Sequence, residues 1–210
     1  MECILCDFDG VLCTLDRSKA ADLLSGYAPH LRLPASDILD QYFFSNPHFQ
    51  VIDNGSITYQ AMLESIMPDC WMGGLSRWLG AWEEIWACYT TNTELLGWLA
   101  RQSERGIAVR IITDNHREFR KWFNSRPEFL PFHSPDALIC SGEIGYCKPS
   151  KQIFDRALAG LASTMPEACF IDDNLRNIRE AQKLGMTAVH HVETAATIEA
   201  VSCWEEQCYG

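Results

Sequence analysis

The sequence has no apolar run approaching the roughly 18 residues that cross a bilayer, so no membrane span is expected. Its N-terminus has no basic stretch ahead of an apolar one, so a secretory leader is not expected either. Basic residues are scarce. Against 28 Asp and Glu stand 17 Lys and Arg, for a net charge of −11. That balance disfavours a broad interface with a nucleic-acid backbone. It leaves room for a small phosphorylated ligand, because one Lys and a metal ion can neutralise a small pocket. Repeats and low-complexity segments are absent.

Cysteine is plentiful, with ten in 210 residues. With no export signal, the thiols are expected to be reduced and the protein cytoplasmic. The spacing of "CILC" (residues 3–6) is that of a redox or zinc pair, but no second pair accompanies it. In a strand, residues three apart point to opposite faces, which is the competing reading. Cys203 and Cys208 lie in a tail with no partner motif.

Residues 2–7 are apolar on both faces and read as a buried parallel strand, with residues 3–13 apolar only until Asp7. Helices are expected over about 18–29, 35–45, 57–67 and 73–88, punctuated by Pro34, Pro47, Pro68 and Gly73-Gly74. After residue 92 strands and helices alternate. Strands are expected at 107–113, 137–140, 168–172 and in "TAVHHV", and helices in "TELLGWLARQSERG", 116–125, "SKQIFDRALAGL" and "NIREAQKLGM". Alternation of this kind implies right-handed crossovers and a parallel sheet. The expected fold is α/β, a Rossmann-like parallel-sheet core formed by residues 1–14 and 89–210. An all-helical cap over residues 15–88 is inserted after the first strand.

Ligands of such sheets bind at the carboxyl ends of the strands. Four strand ends here carry polar groups: Asp7-Phe8-Asp9-Gly10, Thr113-Asp114-Asn115, the segment "SGEIGYCKPS" with Lys148, and Asp172-Asp173-Asn174. Singly, "DFDG" reads as a turn, "FIDDN" as a strand and a helix cap, and Lys148 as a solvated loop residue. Together and in this order they predict one site. Two carboxylates 4 Å apart at an effective dielectric of 20 repel by about 4 kcal/mol. A divalent cation preferring oxygen ligands, most simply Mg²⁺, removes that cost.

In these segments the chain resembles the haloacid dehalogenase superfamily over nearly its whole length. The motifs that carry the likeness are "DFDGVL", "IITDN", "GYCKPSKQIF" and "FIDDNLRN". Within the superfamily it is similar to α-glucose-1-phosphate phosphatases and to the phosphatase domain of soluble epoxide hydrolases. The resemblance implies a Mg²⁺-dependent phosphomonoesterase acting on a small phosphorylated metabolite. Asp7 would be the nucleophile that becomes an aspartyl phosphate, and Asp9 the general acid and base. The family's dehalogenases lack that second Asp, since a halide needs no proton. Thr113 would hydrogen-bond a phosphoryl oxygen, and Lys148 would pair with Asp7 and the phosphoryl group. Asp7, the Asp9 carbonyl and Asp173 would hold the metal, with Asp172 an additional ligand or a carboxylate behind them. Asn174 and Asn177 would hold the loop. Asp114 stands where the family usually has Asn, which puts its direct contact with phosphate in doubt. A phosphomutase or other phosphoryl transferase with the same intermediate, and a non-catalytic binding protein on the same fold, are the alternatives. A monomer or homodimer is expected, with no nucleic-acid or membrane partner.

Specificity is expected to lie in the cap. Asn46, His48 and Phe49 are candidates to face the substrate. Trp78, Trp82 and Trp86 form one helical stripe, read first as packing within the cap and second as a stacking platform. Asp16 and Arg17 could gate entry. His116 reads as a surface or capping residue rather than a substrate contact.

Overall fold

The computed structural model describes residues 2–27, 34–39, 53–58, 60, 61, 64, 80 and 84–209. Five strands, β1 (Cys3–Asp7), β4 (Ala108–Thr113), β5 (Leu138–Cys140), β6 (Ala168–Asp172) and β7 (Thr187–His190), form one sheet in the order β5-β4-β1-β6-β7. All its pairings are parallel. Strand β1 is central and buried along its whole length, which is why its sequence is apolar on both faces. Its side chains alternate between two cores. Ile4 and Cys6 enter a cluster with Leu95, Leu99, Phe119, Phe123, Phe129 and Trp204. Cys3 and Leu5 enter another with Ile153, Phe154, Ala157, Ile178 and Ala181. Cys3 and Cys6 therefore lie on opposite faces of the sheet, and the pair cannot share a metal.

The helices covering the sheet are α3 (Thr93–Glu104), α4 (Phe119–Ser125), α6 (Lys151–Leu158), α7 (Leu175–Lys183) and α8 (Thr194–Tyr209). Between β1 and β4 come α1 (Arg17–Tyr27) and α2 (Ala35–Leu39), and a one-turn helix, α5 (Ser141–Ile144), follows β5. Asn92 caps α3 by accepting from Leu95 N at 3.2 Å, and Asn174 caps α7 by accepting from Arg176 N at 2.9 Å. Among the described residues, no helix is long and apolar enough to cross a membrane.

Four features depart from the sequence reading. Residues 203 and 208 belong to α8, not to a tail, and Val201 and Trp204 bury its inner side. The helix expected from 116 begins at Phe119, and a 3₁₀ segment, Pro127–Phe132, follows it. A two-stranded antiparallel ribbon joins β2 (Cys13–Leu15) to β3 (Tyr89–Thr91). Strands of three residues are too short to show an alternation, and these partners are far apart in sequence. Finally, His116 is buried, 3% exposed, with Nδ1 2.9 Å from a Glu118 carboxylate oxygen.

The segment expected to be the cap lies largely outside the described residues. Its described parts include α1, α2 and a turn at 53–58. Asp16 accepts from Lys19 N at 3.0 Å and so starts α1. Trp86 packs on the sheet domain rather than within a cap bundle, stacked on Trp122 at 4.6 Å and on Tyr89 at 5.2 Å between ring centroids. Trp78 and Trp82 fall outside the described residues.

Candidate active site

The sheet order brings the ends of β1, β4 and β6 side by side, and with them the acidic segments. After Asp7 the chain turns at once: Leu12 N and Cys13 N both donate to Phe8 O, at 3.0 and 2.9 Å. This turn lifts Asp9 over the strand ends. Gly10, at φ +81°, is required in it, since a Cβ there would sit 2.2 Å from Asp173 Oδ2. The close approach of two distant motifs thus depends on a residue with no side chain.

Lys148 reaches in from the loop between α5 and α6. Its ammonium is ion-paired with Asp7 Oδ1 and lies 3.2 Å from Asp172 Oδ2. Asp172 is fully buried and saturated. Asn177 Nδ2 donates to both its oxygens, at 3.2 and 3.0 Å, and Asn174 N donates to Oδ1 at 2.7 Å. Asp172 therefore anchors Lys148 and the start of α7. The exposed Asp173 is the carboxylate of this pair that faces the cleft.

Asp9 is held by neutral donors. Asn115 Nδ2 donates to its Oδ2 at 3.1 Å, and the Tyr89 hydroxyl hydrogen-bonds the same carboxyl group. Burial pushes Asp9 up to about 6, against the pull of the Tyr89 hydrogen bond and the Lys148 charge. Asp114 Oδ1 accepts from Lys148 N at 2.9 Å, which ties the second motif to the third. Thr113 is fully buried and accepts from Asn115 Nδ2 at 3.3 Å. It is not among the residues that line the cleft.

The cleft, of about 340 Å³, is lined by Asp7, Asp9, Gly10, Asp114, Lys148, Asp173, Asn174 and Asn177. Of these, Lys148 alone is a cation. Burial raises Asp7, Asp9, Asp114 and Asp173, and in each case neighbouring carboxylates push further while Lys148 opposes. Lys148 itself is raised, because Asp7, Asp172 and Asp114 outweigh the burial that works against its charge. Oxygens of Asp7, Asp172 and Asp173 lie within 4.8 Å of one another. An all-oxygen donor set with surplus negative charge fits a hard divalent cation, as the sequence led us to expect.

Of the residues singled out from sequence, Asp7, Asp9, Asp114, Lys148, Asp172 and Asp173 come together here, with Thr113 behind them. Asn46, His48 and Phe49 fall outside the described residues. Three neighbours had no role in the sequence reading: Tyr89, Asn115 and Asp53. Asn115 sits inside a motif already quoted, but a role toward Asp9 does not follow from position. Tyr89 is delivered by the unexpected ribbon. Asp53 stands at the start of a turn whose Gly55, at φ +72°, takes a hydrogen bond at its carbonyl from Arg117 Nη2, 2.7 Å. Burial pushes Asp53 up to about 8, and Asp114 and Asp9 add to that.

The profile of the haloacid dehalogenase-like hydrolases matches residues 1–185. The chain belongs to that family. It is 24% identical over 192 residues to the D-ribitol-5-phosphate phosphatase of Bacteroides thetaiotaomicron, covering 87% of each protein. It is 25% identical over 111 residues to a sesquiterpene phosphatase of Aspergillus oryzae, where the match spans 52% of this chain and 55% of that one. Among solved structures, it resembles a HAD family enzyme from B. thetaiotaomicron in complex with magnesium and inorganic phosphate. The TM-score is 0.69 at 22% identity, over 91% of this chain and 94% of that one. A HAD-like family hydrolase from Porphyromonas gingivalis gives the same TM-score at 19% identity, over 97% of both. These structural likenesses are likenesses of fold. The protein is accordingly a HAD-like hydrolase, an enzyme.

Proposed function

We propose that this hydrolase is a magnesium-dependent phosphomonoesterase for a small phosphorylated metabolite and works through an aspartyl phosphate on Asp7. The observation that carries the reading is the contrast between two carboxylates two residues apart. Asp7 is ion-paired with Lys148, whose charge favours the carboxylate that attacks and offsets that of the incoming phosphoryl group. Among the described residues Asp9 is in no ion pair; it is held by Tyr89 and Asn115 and pushed up to about 6, where a proton can be given and taken near neutral pH. Support also comes from the two relatives named as phosphatases and from the neighbour holding magnesium and phosphate.

An Asp7 oxygen attacks phosphorus, and the bond from phosphorus to the alcohol oxygen breaks. The departing oxygen keeps the electron pair and takes the proton of the Asp9 carboxyl. The Asp9 carboxylate left behind then takes a proton from water as that water attacks the phosphorus of the aspartyl phosphate. The bond from phosphorus to Asp7 breaks, its electron pair returns to the Asp7 carboxylate, and inorganic phosphate is released with both residues restored. Lys148 holds the charge on Asp7 and on the phosphoryl oxygens throughout. Asp7, Asp173 and the Asp9 carbonyl would hold the magnesium ion, which when bound supplies positive charge against the phosphoryl oxygens. Thr113, through Asn115, positions the Asp9 side chain.

The test is phosphate release from a panel of phosphorylated metabolites with Mg²⁺, after EDTA, and after Mg²⁺ is restored. Release that stops with EDTA and returns with Mg²⁺ is expected; full release after rigorous chelation would refute the mechanism. The relatives are named for a polyol phosphate and for a sesquiterpene phosphatase, so their names leave the leaving group open.

A further inference from the structure

The two aspartates at the end of β6 are held from the neighbouring strand. Strand β7 runs parallel to β6 with His190 in register with Asp172, so the carbonyls of Asp172 and Asp173 meet the very end of β7. His191 N donates to Asp172 O at 2.9 Å. One residue further along, a side chain takes over: His190 Nε2 lies 3.0 Å from Asp173 O. A carbonyl oxygen only accepts, so Nε2 carries the proton and donates. The ring of His191 is engaged elsewhere, with Nδ1 2.9 Å from Thr197 Oγ1 on α8, and its bond to Asp172 comes from the backbone. Two adjacent histidines thus do different things, one with its ring and one with its main chain.

The consequence falls on Asp173. The Asp172 carboxylate is fixed by Asn177, Asn174 N and Lys148. The Asp173 carboxylate takes a hydrogen bond from its own backbone N–H and rests against Gly10. One of its oxygens lies within 4.8 Å of oxygens of Asp7 and Asp172. A side chain tied to its own backbone stands where that backbone is put, and His190 is the side chain that holds the Asp173 carbonyl. We infer, resting on the reading of Asp173 as a magnesium ligand, that His190 is a positioning residue for that ligand. Its ring N–H fixes the Asp173 peptide so that the carboxylate is already directed toward Asp7 when the metal arrives. His190 itself is not among the residues lining the cleft, so it acts through Asp173 and not on substrate. Groups that orient a metal ligand from behind change metal affinity by about 10- to 100-fold when removed. His190 holds the backbone of the ligand residue rather than its carboxylate, which sets the expectation at the lower end, about tenfold.

The experiment measures metal binding directly, Mg²⁺ by isothermal titration calorimetry and Mn²⁺ by electron paramagnetic resonance, on the full chain. Wild type, His190→Ala, His190→Gln and His191→Ala are compared, and hydrolysis of p-nitrophenyl phosphate is followed against Mg²⁺ concentration. His190→Ala should raise both metal dissociation constants about tenfold. Its loss of activity should lie in the Mg²⁺ requirement rather than in turnover at saturating Mg²⁺. His190→Gln carries an amide Nε2 that donates from a similar reach, and it should recover most of the affinity. His191→Ala removes the Thr197 contact and keeps the backbone bond to Asp172 O, so it should lower the urea midpoint without raising the dissociation constants. Wild-type dissociation constants in His190→Ala would overturn the inference. So would His190→Gln binding no tighter than His190→Ala, or an equal rise in His191→Ala. The binding measurements need no turnover: a wild type that binds metal and leaves p-nitrophenyl phosphate intact would refute the phosphatase reading, while the dissociation constants would still decide the role of His190.

Discussion

The two sides of the cleft are built on opposite plans. On the Lys148 side, one ammonium, two carboxylates and the amides of Asn174 and Asn177 form a closed network in which every Asp172 oxygen is engaged. On the Asp9 side, Asp9 and Asp114 follow β1 and β4 and line the cleft, and among the described residues the neutral Tyr89 and Asn115 hold Asp9. The first arrangement fixes charge in place. The second leaves protonation freer to change, because among the described residues no ion pair engages Asp9. In the proposed mechanism Asp7 takes the phosphoryl group and Asp9 moves the proton, and those two tasks call for different surroundings. Asp7 and Asp9 stand two residues apart in the chain, and their neighbours set them in unlike surroundings.

The largest effect is expected from Asp7→Asn, which removes the attacking oxygen's charge on the fixed side. Turnover should drop to background and no phosphoenzyme should form in rapid-quench experiments; residual steady turnover above background would refute the assignment of the nucleophile. Asp9→Asn should cost about 10² to 10⁴ in rate. The loss in phosphoenzyme formation should be greater for alkyl phosphates than for an aryl phosphate with an acidic phenol, which leaves without a proton. Equal losses for both would place Asp9 on the same footing as Asp7 and dissolve the contrast. Gly10→Ala acts where the two sides join. A side chain at φ +81° costs about 1–2 kcal/mol, and its Cβ displaces Asp173. Urea unfolding should register that loss, and the Mg²⁺ concentration for half activity should rise; an unaltered Mg²⁺ requirement would remove Asp173 from the metal site.

Tyr89→Phe should have the smallest effect, less than about tenfold in rate at neutral pH, the scale of one hydrogen bond. The Tyr89 hydrogen bond favours the Asp9 anion and lowers its pKa, so its loss raises it. Phosphoenzyme formation needs protonated Asp9 and falls as pH rises through that pKa. The falling limb should therefore move to higher pH in Tyr89→Phe, and a limb that stays put or moves to lower pH would show that Tyr89 does not tune Asp9.

Much of this molecule could be read without coordinates. The central strand announces itself because burial on both faces demands an unbroken apolar run, and four polar strand ends in order define one site because a parallel sheet lines up its carboxyl ends. The opposite facing of Cys3 and Cys6 follows from strand period alone. What stayed hidden depends on contacts between distant segments. The ribbon of β2 and β3 has no local signal at three residues a strand, yet it brings Tyr89 to Asp9. Helix α8 was missed because its buried Val201 and Trp204 are set among small and acidic residues, which blur a helical stripe. His116 looked like a surface residue, and its burial reflects the packing of Trp86 and Phe119 around the start of α4. The sequence by itself determined which polar residues stand at the carboxyl ends of the strands, since residue type and order are covalent. Only the tertiary structure decided which carboxylate is paired with Lys148 and which is held by Tyr89 and Asn115. Charge balance is a property of distances, and the chain sets those only when it folds.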